Sequence, residues 1–129
     1  MRSVLAHPYV LVMAGGGLGS LLRYLTGRLL PASLLISPFP VAILAVNVLA
    51  SVVLGLVTGW AASRAGGDTL RLLLGVGFCG GLSTFSSFSN DTVLLLQQGR
   101  LVAALLNIAL NVLLCLLASA IGLWLSTKL

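Results

Sequence analysis

The sequence predicts an all-α integral membrane protein of four transmembrane helices per subunit, with the third helix broken. Three observations carry that prediction. Hydrophobic residues fill 59% of the 129 positions and charged residues only 7%, for a mean hydropathy of +1.17; a soluble domain of this size needs a far more polar surface. Four mainly apolar segments, Tyr9–Leu30, Val41–Trp60, Leu72–Leu96 and Leu101–Leu125, each meet the requirement of about 20 residues for a spanning helix. The third of them carries GGLSTFSSFSND from Gly80 to Asp91, and paired glycines followed by hydroxyl residues are poor material for a continuous helix. Residues 1–129 therefore read as one four-helix transmembrane domain.

The first segment opens with Tyr9 and holds AGGGLGS, in which Gly15 and Gly19 form a GxxxG pair. Small residues on one face let helix backbones approach closely in lipid. A phosphate-binding glycine loop would need a Walker-type Lys or a preceding strand, and neither is there. Arg2 before this apolar run raises a signal peptide as an alternative, but the run continues to Arg23 and Arg28 with no A-x-A site closing it. Arg23, inside the helix end, has two readings: a side chain reaching for the interface, or one lining an anion-attracting vestibule.

PASLLISPFP, with three prolines and no charge, is a stop and a turn. In the second segment Trp60 sits as an interfacial anchor, and Asn47, Ser51, Gly55, Thr58 and Gly59 recur at helical spacing as a small, polar face. Asn47 can tie helices together or present its two N–H groups to an anion, and both readings stand. AASRAGGDT follows as a surface loop, with Asp68 and Thr69 as candidate caps for the next helix.

The third segment predicts a break near residues 80–84 and a restart at Phe85. At bilayer depth, free backbone groups are tolerated only inside protein or beside a polar cavity, which makes this a candidate ion site. The QQGR link is short, so the third and fourth helices are antiparallel neighbours. On the fourth, Asn107, Asn111, Cys115 and Ser119 are spaced four apart along one face. Asparagines there are costly unless they meet partners or water.

Charge and chemistry exclude several classes. Net charge is +5, yet the seven basic residues are scattered, so no nucleic-acid stripe exists. Cys79 and Cys115 form no CxxC pattern and read as small packing residues, and the lone His7 suggests no catalytic pairing. Neither Asp68 nor Asp91 lies at the centre of a segment, where proton-coupled exporters of cations need a carboxylate. With four crossings, Arg2, Arg64, Arg71 and Lys128 fall on one side, and Arg28, Arg100 and the nearby Arg23 on the other. So weak a positive-inside bias is compatible with dual topology and an antiparallel dimer.

These residues resemble the Fluc (CrcB-type) fluoride channels: GGGLGSLLRY with Arg23, Asn47 in VAILAVN, GGLSTFSSFS, the acid Asp91, and a polar last helix. The resemblance implies an antiparallel homodimer in the inner (plasma) membrane, a passive, fluoride-selective channel exporting cytoplasmic F⁻ through two pores. It implies pores lined by Asn47, Phe85, Phe88, Asn107, Asn111 and Cys115, vestibule or supporting roles for Arg23, Ser86 and Asp91, and a central Na⁺ held by the backbone carbonyls of Gly80 and Ser83. The chain departs from the family pattern at Ile43, where a Thr is common, and at Asn107, Asn111 and Cys115, where hydroxyl residues or Tyr are usual. Two other classes remain as alternatives: a small dimeric drug or metabolite exporter, and a membrane partner that transports nothing.

Overall fold

The computed structural model describes residues 7–35 and 38–129; Arg2 lies outside them. Among the described residues there are helices and no strands: α1 (Pro8–Leu29), a 3-10 turn (Ala32–Leu34), α2 (Val41–Ala62), α3 (Gly67–Leu70), a π-helical stretch (Arg71–Cys79), α4 (Gly80–Leu82), α5 (Phe85–Gln97) and α6 (Leu101–Ser126). Among the described residues, four helical spans are long and apolar enough to cross a membrane: Pro8–Leu34, Val41–Ala62, Gly67–Gln97 and Leu101–Ser126.

The third span starts at Gly67 rather than Leu72. Gly66 takes φ +85°, a left-handed turn favourable only to a residue without Cβ, and the helix begins on it with no side-chain cap. Asp68 lies within the first turn, so its carboxylate favours the positive end of the helix without bonding the preceding residue. Thr84, at the start of α5, is a side-chain cap: its Oγ1 accepts from Ser87 N–H at 3.2 Å. At the other end of α5, Gly99 (φ +71°) lets its own N–H reach Leu96 O and Arg100 N–H reach Leu95 O, both at 2.9 Å. That paired bond is a Schellman ending, and it turns the chain directly into α6.

Glycine faces decide how the spans pack. A methyl group on Gly15 would overlap the carbonyl of Leu73, and one on Gly19 would overlap that of Phe78, so α1 lies backbone to backbone on the π-helical stretch. Gly55 and Gly122 do the same for α2 and α6: a Cβ on either would strike the Ser119 or Val52 carbonyl of the other helix. The close approach expected of Gly15 and Gly19 is thus present, as is the inward glycine edge of α2. Thr58 departs from that edge and is exposed.

The ends of the bundle are tied by their cations. Arg64 Nη2 donates to Leu129 O at 3.0 Å and lies 4.6 Å over the Trp60 ring, joining the loop after α2 to the end of α6. Lys128 lies 5.5 Å over Trp124 at the same end. Arg100 donates to Pro38 O, joining the other two loops. The core between them is small, built on Val46, Ala50, Cys79 and Leu82. Most large apolar side chains of α6, Leu105, Leu113, Leu116 and Leu117 among them, face outward.

Candidate functional site at the start of α5

Ser83 (ψ 155°) and Thr84 (ψ 119°) are extended, so the helical backbone stops at Leu82 and resumes at Phe85. Gly80 and Gly81 themselves are helical. Extended residues between two helices leave carbonyls and amides without their helical partners. The displaced groups are met by side chains. Thr84 N–H, which would serve Gly80 O in a continuous helix, donates to Asn47 Oδ1 at 2.8 Å. Arg23 Nη1 donates to Ser83 O at 3.2 Å and Ser20 Oγ to Gly81 O at 3.4 Å. Arg23 is half-buried, and its guanidinium is bonded to this backbone.

Every buried polar side chain among the described residues belongs to one network: Asn47, Thr84, Thr92, Asn107 and Asn111. Asn47 Nδ2 donates to Asn111 Oδ1 at 3.0 Å and to Thr84 O at 3.4 Å. Asn111 Nδ2 donates to Asn107 O at 2.9 Å and Asn107 Oδ1 at 3.1 Å. Asn107 Nδ2 donates to Thr92 Oγ1 at 2.9 Å, and Thr92 Oγ1 to Phe88 O at 2.8 Å. Both N–H groups of Asn47 are therefore engaged by protein.

Beside this network lies a groove of about 260 Å³ lined by Asn47, Ser51, Ser83, Thr84, Phe85, Phe88, Asn111, Val112 and Cys115. The rings of Phe85 and Phe88 are 5.4 Å apart and inclined by 52°. Phe85 is 79% exposed. Hydroxyls on the wall are folded back onto backbone: Ser51 Oγ donates to Asn47 O at 2.7 Å and Ser83 Oγ to Cys79 O at 2.8 Å. Cys79 O also accepts from Ser83 N–H at 2.9 Å, so it stays satisfied when the hydroxyl rotates away.

The other expected residues are placed as follows. Asn107 is fully buried behind Asn111 and does not reach the groove. Ser86 is exposed and shares a 3.2 Å hydrogen bond with Thr84 Oγ1. Asp91 faces a separate cavity of about 150 Å³ with Pro38, Phe39, Pro40, Gln98 and Arg100. Gly80 opens on a groove of about 410 Å³ with Ala50, Thr58, Arg71 and Gly75; Ser51 and Ser83 line both this groove and that of the phenylalanines. Sequence reasoning missed Thr84 and Thr92. The signal for Thr92 was its place four residues after Phe88, on the same face of α5.

Residues 10–123 match the family model described as "CrcB-like protein, Camphor Resistance (CrcB)". The chain is 46% identical over 101 residues to the "Fluoride-specific ion channel FluC" of Novosphingobium aromaticivorans, covering 76% of this chain and 79% of the relative. It is 43% identical over 118 residues to the protein of that name from Elusimicrobium minutum, covering 92% of each. With the one from Pyrococcus furiosus it shares 47% identity over 106 residues, 80% of this chain and 82% of the relative. A chain with four apolar spans among its described residues that matches this model over residues 10–123 is a multi-pass membrane protein, and it belongs to the CrcB-like family.

Proposed function

We propose that this protein is a passive, fluoride-selective channel that works as an antiparallel homodimer with two pores in the inner membrane, exporting cytoplasmic F⁻. The observation that carries the reading is the groove at the start of α5, where two phenylalanine rings stand beside hydroxyls, amides and a thiol. It is supported by the relatives, which are named as fluoride-specific ion channels.

Fluoride is small and strongly hydrated, so a path through the membrane has to replace water's donors. A phenyl ring edge is positive by its quadrupole, and Phe85 and Phe88 bring two rings to one groove, where an edge turned to the ion would attract it. The Ser51 and Ser83 hydroxyls are rotors that can swing from a backbone carbonyl to an anion. Cys115 adds a weak S–H donor. Arg23 raises the local positive potential from below Ser83 without entering the groove. An inside-negative potential drives the anion outward with about 2.3 kcal/mol per 100 mV, so export needs no coupled ion.

A second copy meeting this face would cover the exposed Phe85 and complete the lining of the groove. Two copies meeting at their Ser83–Thr84 interruptions would also bring carbonyls together for the central Na⁺. Gly80 and Ser83 fit such an ion: hard cations take oxygen ligands, and the Gly80 carbonyl has lost the Thr84 N–H that a continuous helix would supply. Ser83 O already accepts from Arg23, so it would be a shared ligand. When bound, the ion supplies a fixed positive charge at the dimer axis. The exporter alternative finds no support in the site, whose buried polar residues among those described are all uncharged.

The test is ion efflux from proteoliposomes of the purified protein, read with ion-selective electrodes. Rapid fluoride efflux without chloride efflux is expected. Proton-coupled uptake of an organic cation with no fluoride efflux would replace this reading with the exporter.

A further inference from the structure

The hydrogen bonds around the groove have a direction that geometry leaves no freedom to reverse. Thr84 N–H is a backbone donor, so Asn47 must meet it with Oδ1. Nδ2 of Asn47 is then turned to Asn111 and requires an oxygen there. With its oxygen committed, Asn111 directs Nδ2 at Asn107, where the backbone and side-chain oxygens both accept. Asn107 is left with Nδ2 for Thr92 Oγ1, and the Thr92 proton goes to Phe88 O, which can only accept. The chain of bonds thus leaves the first turn of α5 at Thr84, passes through α2 and α6, and returns to the same turn at Phe88. It closes a ring around the residues that carry Phe85 and Phe88.

We propose that Thr92 and Asn107, neither of which lines the groove, are positioning residues for it: they close the ring of bonds on the α5 side, anchor Asn111 from behind, and through Asn47 help hold the α5 turn that presents the two rings. Asn107 is 0% exposed, so no water replaces a partner it loses. Removing the Thr92 hydroxyl leaves the Asn107 amide with no acceptor. Asn107 then holds a buried, unpaired N–H, the ring is open on the α5 side, and the pin on Thr84 is held from one end only, without any change to a residue in the groove. The transport part of this inference rests on the channel reading; the part about the α5 turn does not.

The experiment compares the full chain with Thr92→Val, which keeps the shape and loses the hydroxyl, and with Thr92→Ser, which keeps the hydroxyl. Fluoride efflux from proteoliposomes is read beside hydrogen exchange of the amides from Phe85 to Phe88. In Thr92→Val, efflux is expected to fall about tenfold and those amides to exchange faster, as fits an orphaned buried donor. Thr92→Ser is expected to restore both. Should Thr92→Val not assemble, Thr92→Ala carries the same expectation. Efflux and exchange unchanged in Thr92→Val would overturn the proposal, and so would equal losses in the Val and Ser variants, since packing alone would then explain them. A wild-type protein that passes no fluoride would remove the channel reading, while the exchange comparison would still decide the ring of bonds.

Discussion

Replacing Asn47 by leucine removes the side chain that joins α2 to the Ser83–Thr84 interruption, and the cost can be worked from its bonds. Thr84 N–H loses the acceptor that lies at 2.8 Å, and Asn111 Oδ1 loses the donor at 3.0 Å. Both residues are buried, Thr84 at 8% and Asn111 at 6% exposure, so water does not replace Asn47. A buried polar group left without a partner costs about 1–3 kcal/mol, whereas interhelical hydrogen bonds in membrane proteins average about 0.6 kcal/mol because other partners are found. The larger figure applies to Thr84, whose backbone donor has no rotamer with which to search. The smaller applies to Asn111, whose amide can turn. The expected loss is therefore about 2–3 kcal/mol. Ser51→Ala is the control one turn along: its hydroxyl bonds back to its own helix at 2.7 Å from Asn47 O, and its removal should cost less than about 1 kcal/mol. Reversible unfolding in mixed detergent micelles, compared at equal denaturant dependence, measures both. An Asn47→Leu protein that unfolds at the wild-type midpoint would refute the reasoning that this network holds the interruption in place.

Three further outcomes are expected. Gly19→Ala puts a methyl group into the Phe78 carbonyl and about 2.7 Å from Leu82 N, with only backbone to yield, and should destabilise the protein by about 1–3 kcal/mol; Gly17→Ala, which meets nothing within 4 Å, should be neutral in the same unfolding assay. Cys115→Ser places a stronger donor on the groove wall and should leave fluoride efflux equal or faster, whereas Cys115→Val should slow it. Replacing Na⁺ by a bulky organic cation on both sides of the membrane should slow fluoride efflux if Gly80 and Ser83 share an ion, and an unchanged rate would remove that ion from the account.

Much of the helical layout was legible because lipid imposes it. Runs of apolar residues mark the spans, and Gly15 and Gly19 mark where backbones meet, since few other residues permit the contact. The start of the third span was misplaced by five residues because GGDT reads as loop; Gly67 helps the helix form instead, buried against Ala61. The extended residues are Ser83 and Thr84, with Gly80 and Gly81 still helical, because Asn47 and Arg23 supply the bonds that make extension affordable there. Those partners lie tens of positions away in the chain, and no local pattern announces them. The same holds for the polar track of α6. Its spacing showed that Asn107, Asn111 and Cys115 share a face, but not that Asn107 is sealed behind Asn111 while Cys115 meets the groove.

The central claim is that fluoride passes along the groove edged by Phe85 and Phe88. It is tested most directly by measuring fluoride and chloride efflux together from proteoliposomes of wild type and Phe85→Ile. The account predicts fluoride efflux without chloride in the wild type, and its loss in Phe85→Ile, since an aliphatic side chain has no positive edge. Fluoride efflux undiminished in Phe85→Ile would contradict it by moving the ion's route away from the ring.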